Sequence, residues 1–148
     1  MKRIAITGAN GFIGRHLVRH AVASGYEVEG VVRSQAAAQV VRESGGHPVH
    51  LVGRDPEALV HALDGCLAVV HLAQIGAERG GQTYEAINIG LTERVLEDAR
   101  HAGVPRVVYF SGLGVARYGM SPRSSNAYFL SKLAAETTLF RSGLEGVV

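Results

Sequence analysis

The chain has 148 residues, with 15 Lys and Arg against 13 Asp and Glu, a formal charge of +2. That charge is too small and too dispersed for a nucleic-acid surface, and there is no Trp and no interleaved basic and aromatic patch. No apolar run reaches the ~18 residues a membrane span needs; no secretory leader pattern is visible, and the single cysteine, Cys66, cannot make an internal disulfide and points to a reducing, cytoplasmic setting.

Lys2 to Thr7 is a β-branched, apolar run, the first predicted strand. A turn with glycines at 8, 11 and 14 follows, then a helical period from Phe12 to Ala23 that Ser24-Gly25 ends. Tyr26 to Val32 is a second strand, Ala36 to Glu43 a short helix and His47 to Val52 a third strand. Asp55-Pro56-Glu57 opens a helix that runs to about Leu63. Cys66, just ahead of the next strand, reads as a small core residue. Leu67 to Leu72 is nearly all apolar, as expected of a strand buried on both faces. After a loop, Ala73 to Gly81, one long helix is predicted from Thr83 to Ala102, then a strand from Arg106 to Ser111. Gly112 to Ser125 is rich in Gly, Pro and Ser and reads as loop. Asn126 to Arg141 is a helix, and Glu145 to Val148 begins a further strand. This β-α alternation implies an α/β fold, a doubly wound parallel sheet with helices on both faces, in one domain over residues 1–148.

A strand that turns through glycines into a helix N-terminus makes an anion site, because unpaired N–H groups and the positive end of the helix dipole face one spot. Glycine takes φ > 0 without strain there, and its bare backbone lets a pyrophosphate lie close. The spacing in Thr7-Gly8-Ala9-Asn10-Gly11-Phe12-Ile13-Gly14 is G-x-x-G-x-x-G. It resembles the nucleotide signature of the short-chain dehydrogenase/reductase superfamily, most closely the extended and atypical branches that include the sugar-nucleotide epimerases and dehydratases. The resemblance implies a Rossmann sheet of order 3-2-1-4-5 with a sixth strand begun at the C-terminus. It also implies a dinucleotide held by Gly8, Ala9, Asn10, Gly11, Phe12, Ile13, Gly14 and Arg15. Relatives of this kind continue into a smaller substrate lobe, so the 148 residues are expected to be the cofactor half of a longer protein.

Tyr128-Phe129-Leu130-Ser131-Lys132 places Tyr and Lys at i and i+4, on one helix face. It resembles the family's Y-x-x-x-K catalytic pair in spacing and in position after the fifth strand. A free tyrosine has a pKa of about 10, too high for proton exchange near neutrality, and a neighbouring ammonium favours the phenolate. The resemblance gives Tyr128 the proton, gives Lys132 the tuning charge and the cofactor ribose, and gives Ser111 the substrate oxygen. Relatives often carry two or three hydroxyl residues at that last position; here Gly112 and Leu113 follow Ser111. By the same resemblance Asn88 holds a helix kink and an active-site water. Leu72, Ala73 and Gln74, in His71-Leu72-Ala73-Gln74, match a strand end that passes the cofactor ribose, usually H-L-A-A.

Cofactor choice turns on the end of the second strand, where an NAD enzyme usually carries an acid. Here the strand ends in Val32-Arg33-Ser34. Arg33, helped by Arg15, suits a 2′-phosphate, so NADP(H) is expected to be preferred and NAD(H) to be the lesser partner. Judged against relatives, Val52-Gly53-Arg54-Asp55-Pro56 is about two residues short near the adenine. His16 and His20, and His47 and His50, lack a third ligand at a recognised spacing, so no metal is expected. Apolar residues on the two long helices, and the family's habit of pairing them, predict a homodimer. Two functions stand: hydride transfer at a carbonyl or alcohol of an unknown small molecule, and a non-catalytic dinucleotide-binding subunit or redox sensor.

Overall fold

The computed structural model describes residues 2–51, 57–118 and 126–148. Six parallel strands form one sheet in the order β3-β2-β1-β4-β5-β6. They are β1 (Lys2–Thr7), β2 (Tyr26–Val32), β3 (His47–His50), β4 (Ala68–His71), β5 (Arg106–Tyr109) and β6 (Glu145–Val147). The helices are α1 (Phe12–Ala23), α2 (Gln35–Glu43), α3 (Ala58–Leu63), α4 (Leu91–His101), α5 (Val115–Tyr118) and α6 (Ala127–Arg141). The expected doubly wound order is present, with the sixth strand beside the fifth.

Alternation along each strand feeds two cores. Ile6, Val28, Val32 and Val70 face α1 and α2, whose Val18 and Val41 are fully buried. Ala5, Val69, Val107 and Tyr109 face α3, α4 and α6, with Leu59, Val95 and Leu139. Cys66 belongs to this second core, and burial pushes its thiol up to about 11. On the same face, at the strand ends, two polar residues stand where apolar ones would continue the core: Thr7 and His71, both buried.

Several predicted elements differ. The helix expected from Thr83 begins as a wider π turn, Glu85–Gly90, and becomes α-helical only at Leu91. The cause is a contact with the preceding loop: the Asn88 side chain accepts from Ile75 N at 2.9 Å and donates to Ile75 O at 3.1 Å, drawing that turn towards the loop. The Gly112–Ser125 stretch, read as loop, contains the one-turn helix α5. The strands predicted to end at Leu72 and Ser111 end at His71 and Tyr109 in the structure, and β3 ends at His50, with Leu51 outside it. The helix start at Asp55-Pro56, the Val52–Pro56 stretch and residues 119–125 lie outside the described residues.

Apolar residues of the paired helices are not equally placed. On α4, Val95, Leu96 and Ala99 are buried and the outer face is Glu93, Glu97 and Arg100. On α6, Leu130 and Phe140 remain exposed.

Candidate functional site

All six strands run parallel, so their carboxyl ends lie along one edge, and ligands of such sheets bind outside that edge. A cleft of about 290 Å³ opens there, lined by Thr7, Gly8, Asn10, Gly11, Val31, Val32, Arg33, Leu51, Leu59, Leu72, Ala73, Gln74, Ile87, Leu91 and Val95. A larger groove, about 840 Å³, between α3 and α4 is lined by side chains such as Glu57, His61, Glu93 and Asp98 and contains none of the predicted site residues. Chemistry, not size, therefore selects the cleft at the carboxyl edge.

The glycine turn has the shape an anion cradle requires. Gly8 has φ +70, and a Cβ there would lie 2.9 Å from Ala73 N. A Cβ on Gly14 would lie 2.3 Å from Gly8 O, so only glycine lets α1 come this close to the turn. Helices α2 and α6 are capped by side chains, Ser34 Oγ accepting from Ala37 N and Asn126 Oδ1 from Phe129 N. Gly11, the residue just before α1, has no side chain to cap the helix, so its first N–H groups are left to a ligand. The turn and the cleft beside it fit a dinucleotide pyrophosphate.

Of the residues singled out from the sequence, Gly8, Asn10, Gly11, Arg33, Leu72, Ala73 and Gln74 converge on the cleft. Ala9 is buried beneath the turn. Phe12, Ile13 and Arg15 are exposed on the first turn of α1 outside the cleft wall, with the Arg15 guanidinium 5.6 Å from the Phe12 ring centroid. Tyr128 is half-buried, its ring edge-on to those of Tyr84 and Phe129. Ser111 Oγ is buried and, among the described residues, has no hydrogen-bond partner.

Lys132 is fully buried beneath the edge. Its Nζ donates to Gln74 Oε1 and, at 2.6 Å, to Phe110 O, and lies 4.1 Å from the Tyr109 ring centroid. Burial lowers its pKa to about 8, with Glu136 opposing. No hydrogen bond joins it to Tyr128 among the described residues.

A run of buried hydrogen bonds ties the glycine turn to the helix that carries Tyr128 and Lys132. The Thr92 hydroxyl donates to Asn88 O at 2.8 Å, so at 3.0 Å it must accept from His71 Nε2. His71 Nδ1 is then the acceptor, and the Thr7 hydroxyl donates to it at 2.6 Å. Thr7 Oγ1 in turn accepts from Leu72 N and Ala73 N. At the other end, Asn88 Nδ2 donates to Ser131 Oγ at 3.0 Å, and Ser131 donates to Tyr128 O at 2.7 Å. The imidazole satisfies every partner only as the neutral Nε2–H tautomer. Burial first, and the Lys132 charge second, hold its pKa down at about 3. Sequence reasoning missed Thr92 and Ser131. The signal was present: Asn88, Thr92, Val95 and Ala99 share one helical stripe, and polar members of a buried stripe need partners.

A family model described as NAD(P)H-binding matches residues 8–147. The chain belongs to this family. Its homologues lie in the NAD-dependent epimerase/dehydratase, or extended short-chain dehydrogenase/reductase, group, and the chain is an NAD(P)-binding Rossmann domain of the oxidoreductase/epimerase type. It is 34% identical over 110 residues to a 4-hydroxy-2-methyl-3-oxo-4-farnesyl-3,4-dihydroquinoline-1-oxide ketoreductase of Stigmatella aurantiaca, covering 74% of this chain and 33% of that protein. It is 31% identical over 121 residues to photosystem II assembly factor Ycf39 of Guillardia theta, covering 80% of this chain and 38% of that one. The solved structure of MoeE5 in complex with UDP-glucose and NAD superposes with a TM-score of 0.71 at 30% identity, over 97% of this chain and 51% of that one. The NAD(P)-binding domain thus spans about a third of the length of those two curated relatives. No described helix is long and apolar enough to cross a membrane. Among the described residues no group of three His, Cys, Asp or Glu side chains could hold a metal.

Proposed function

We propose that the whole protein is an NADP(H)-preferring oxidoreductase or epimerase-type enzyme that transfers hydride at a carbonyl or alcohol of a small molecule. The observation that carries this reading is the buried run from Thr7 through His71, Thr92 and Asn88 to Ser131, which holds Tyr128 and Lys132 in fixed relation to the glycine turn. Bound along the turn, the nicotinamide cofactor supplies or accepts the hydride. Gly8, Asn10 and Gly11 hold its pyrophosphate against the start of α1. Arg33, at the end of β2, pairs with the adenosine 2′-phosphate. The Tyr128 phenol gives a proton to the substrate oxygen or takes one from it. Lys132 places a cation beneath the edge, and Ser111 Oγ, buried and without a hydrogen-bond partner among the described residues, turns to the substrate oxygen. The exposed apolar side of α6, with Leu130 and Phe140, packs against a second copy of the chain. The single buried cysteine suits a cytoplasmic setting.

The test is Tyr128→Phe in the whole protein. Turnover of NADPH against a panel of carbonyl compounds should fall by ~10²–10⁴-fold with cofactor affinity almost unchanged. Wild-type turnover in that variant refutes the assignment.

A second reading, a non-catalytic dinucleotide-binding subunit or sensor, is favoured by Gly112 and Leu113, which offer no side-chain donor beside Ser111. Kinship with Ycf39, named as an assembly factor, points the same way. On that reading the whole protein keeps its dinucleotide through purification and oxidises no NADPH with any carbonyl compound.

A further inference from the structure

Tyr128 stands in a row of aromatic rings. The Tyr84 ring lies 5.9 Å from it, centroid to centroid, at 61°, and the Phe129 ring lies 5.4 Å from it at 67°. Both are the edge-to-face contacts that aromatic pairs prefer. The loop after β5 packs on the same row, since a Cβ on Gly112 would lie 3.3 Å from Phe129 Cε1. The next residue of that loop, Leu113, is fully exposed.

The hydroxyls that neighbour this row are committed or turned inward. The Tyr84 hydroxyl donates to Gly76 O at 2.9 Å, which pins the side chain and leaves its ring, not its oxygen, beside Tyr128. Ser131 donates to Tyr128 O and accepts from Asn88 Nδ2. Ser111 Oγ is buried. Gly112, Leu113 and Gly114, which follow it, carry no polar side chain. A group brought to the Tyr128 phenol therefore has aromatic rings and the Leu113 side chain for neighbours. A hydroxylated group placed among them gives up water and gains no partner, whereas an aromatic or alkyl group gains apolar contact.

We propose that this face sets the substrate class: a ketone that carries an aromatic or alkyl group, with Leu113 and the rings of Tyr84 and Phe129 as its specificity-determining contacts. This rests on the hydride-transfer reading set out under the proposed function and names the substrate class of that site. The carbonyl carbon gains hydride from the reduced nicotinamide and the oxygen gains the Tyr128 proton, so the products are a secondary alcohol and the oxidised cofactor. Leu113 is then a substrate contact in its own right, standing where a hydroxyl residue would have offered a donor.

The test is NADPH oxidation by the whole protein with two ketones of the form CH3–CO–CH2–CH2–X, benzylacetone with X a phenyl ring and hydroxybutanone with X a hydroxyl. Wild type should show a kcat/KM about a hundredfold higher for benzylacetone. Leu113→Ser should cut that ratio about tenfold, chiefly by raising KM for benzylacetone, and Leu113→Met should hold it within about twofold of wild type. Equal kcat/KM values in wild type, a preference for hydroxybutanone, or a ratio that Leu113→Ser leaves unchanged would each overturn the proposal while leaving hydride transfer in place. A Leu113→Ser protein that melts earlier with its ratio unchanged would overturn it too, and would give Leu113 to packing against another surface. Turnover of no carbonyl compound with either NADPH or NADH would instead remove the functional reading, and this inference with it.

Discussion

Thr7 Oγ1 lies 2.6 Å from His71 Nδ1, joining the carboxyl ends of β1 and β4 directly under the glycine turn. The contact makes a buried imidazole part of the carboxyl edge, where burial keeps it neutral. Because Thr7 also accepts from Leu72 N and Ala73 N, it fixes the backbone that packs against Gly8.

The first prediction follows from His71. Its folded pKa is depressed to about 3, below the ordinary value of 6.5, so the unfolded chain takes up the proton first as pH falls. Stability from this group is full above about 6.5 and is lost as pH falls from there towards 3. Between pH 6.5 and 5, above most carboxylate titration, it should amount to about 2 kcal/mol. Urea unfolding at both pH values measures it, and His71→Gln should flatten the difference. An equal slope in the variant would assign the acid sensitivity elsewhere.

Lys132, like His71, is a base whose charged form burial disfavours, and the sign is the same. Its folded pKa of about 8 lies below the ordinary 10.5, so the unfolded chain binds more protons between these values. Stability from this group should therefore rise as pH increases from 8 towards 10, while the Cys66 thiol, raised from 9.0 to about 11, takes stability away from about pH 9 upwards. Denaturant midpoints of a Cys66→Ala background against Cys66→Ala, Lys132→Met isolate the effect. A midpoint that falls over this range in the Lys132-containing chain contradicts it.

The glycines of the turn should differ sharply. Gly14→Ala puts a Cβ 2.3 Å from Gly8 O, so the turn must open, at a cost of at least about 2 kcal/mol and with loss of NADPH binding. Gly11→Ala meets the same oxygen only at 3.2 Å, so the fold should survive within about 1 kcal/mol. Gly11 lines the cleft, so affinity should still fall. Melting curves and cofactor titration of the two variants separate the effects; equal stabilities would show that α1 tolerates a wider approach.

Arg33 should decide between the two dinucleotides. Wild type is expected to bind NADPH several-fold tighter than NADH, and Arg33→Ala to lose that preference chiefly by weakening NADPH. Fluorescence titrations with both cofactors read this, and a preference that persists in the variant would move the 2′-phosphate to other residues.

For assembly, the outer face of α6 with Leu130 and Phe140 is the expected contact. Sedimentation at tens of micromolar, on the order of weak dimer constants, should show a dimer that Phe140→Glu dissociates. A monomer throughout would leave that face without a partner copy.

The sequence by itself determined the β-α alternation, the glycine turn and the Tyr128–Lys132 spacing, because strand period, helix period and glycine placement are local properties of a chain. It also set Asn88 and Thr92 on one stripe of a helix. Only the tertiary structure decided what these groups meet. That Thr7, His71, Thr92, Asn88 and Ser131 form one run depends on β1 lying beside β4 and on Thr7 pairing in register with His71. The π turn at Glu85–Gly90 was hidden for the same reason, since the Ile75 backbone that bonds the buried Asn88 side chain lies on another segment. The resemblance gives Lys132 the tuning charge and the cofactor ribose. Packing between α6 and β5 turns its ammonium under the edge towards Phe110 O and Gln74, a choice no local periodicity contains.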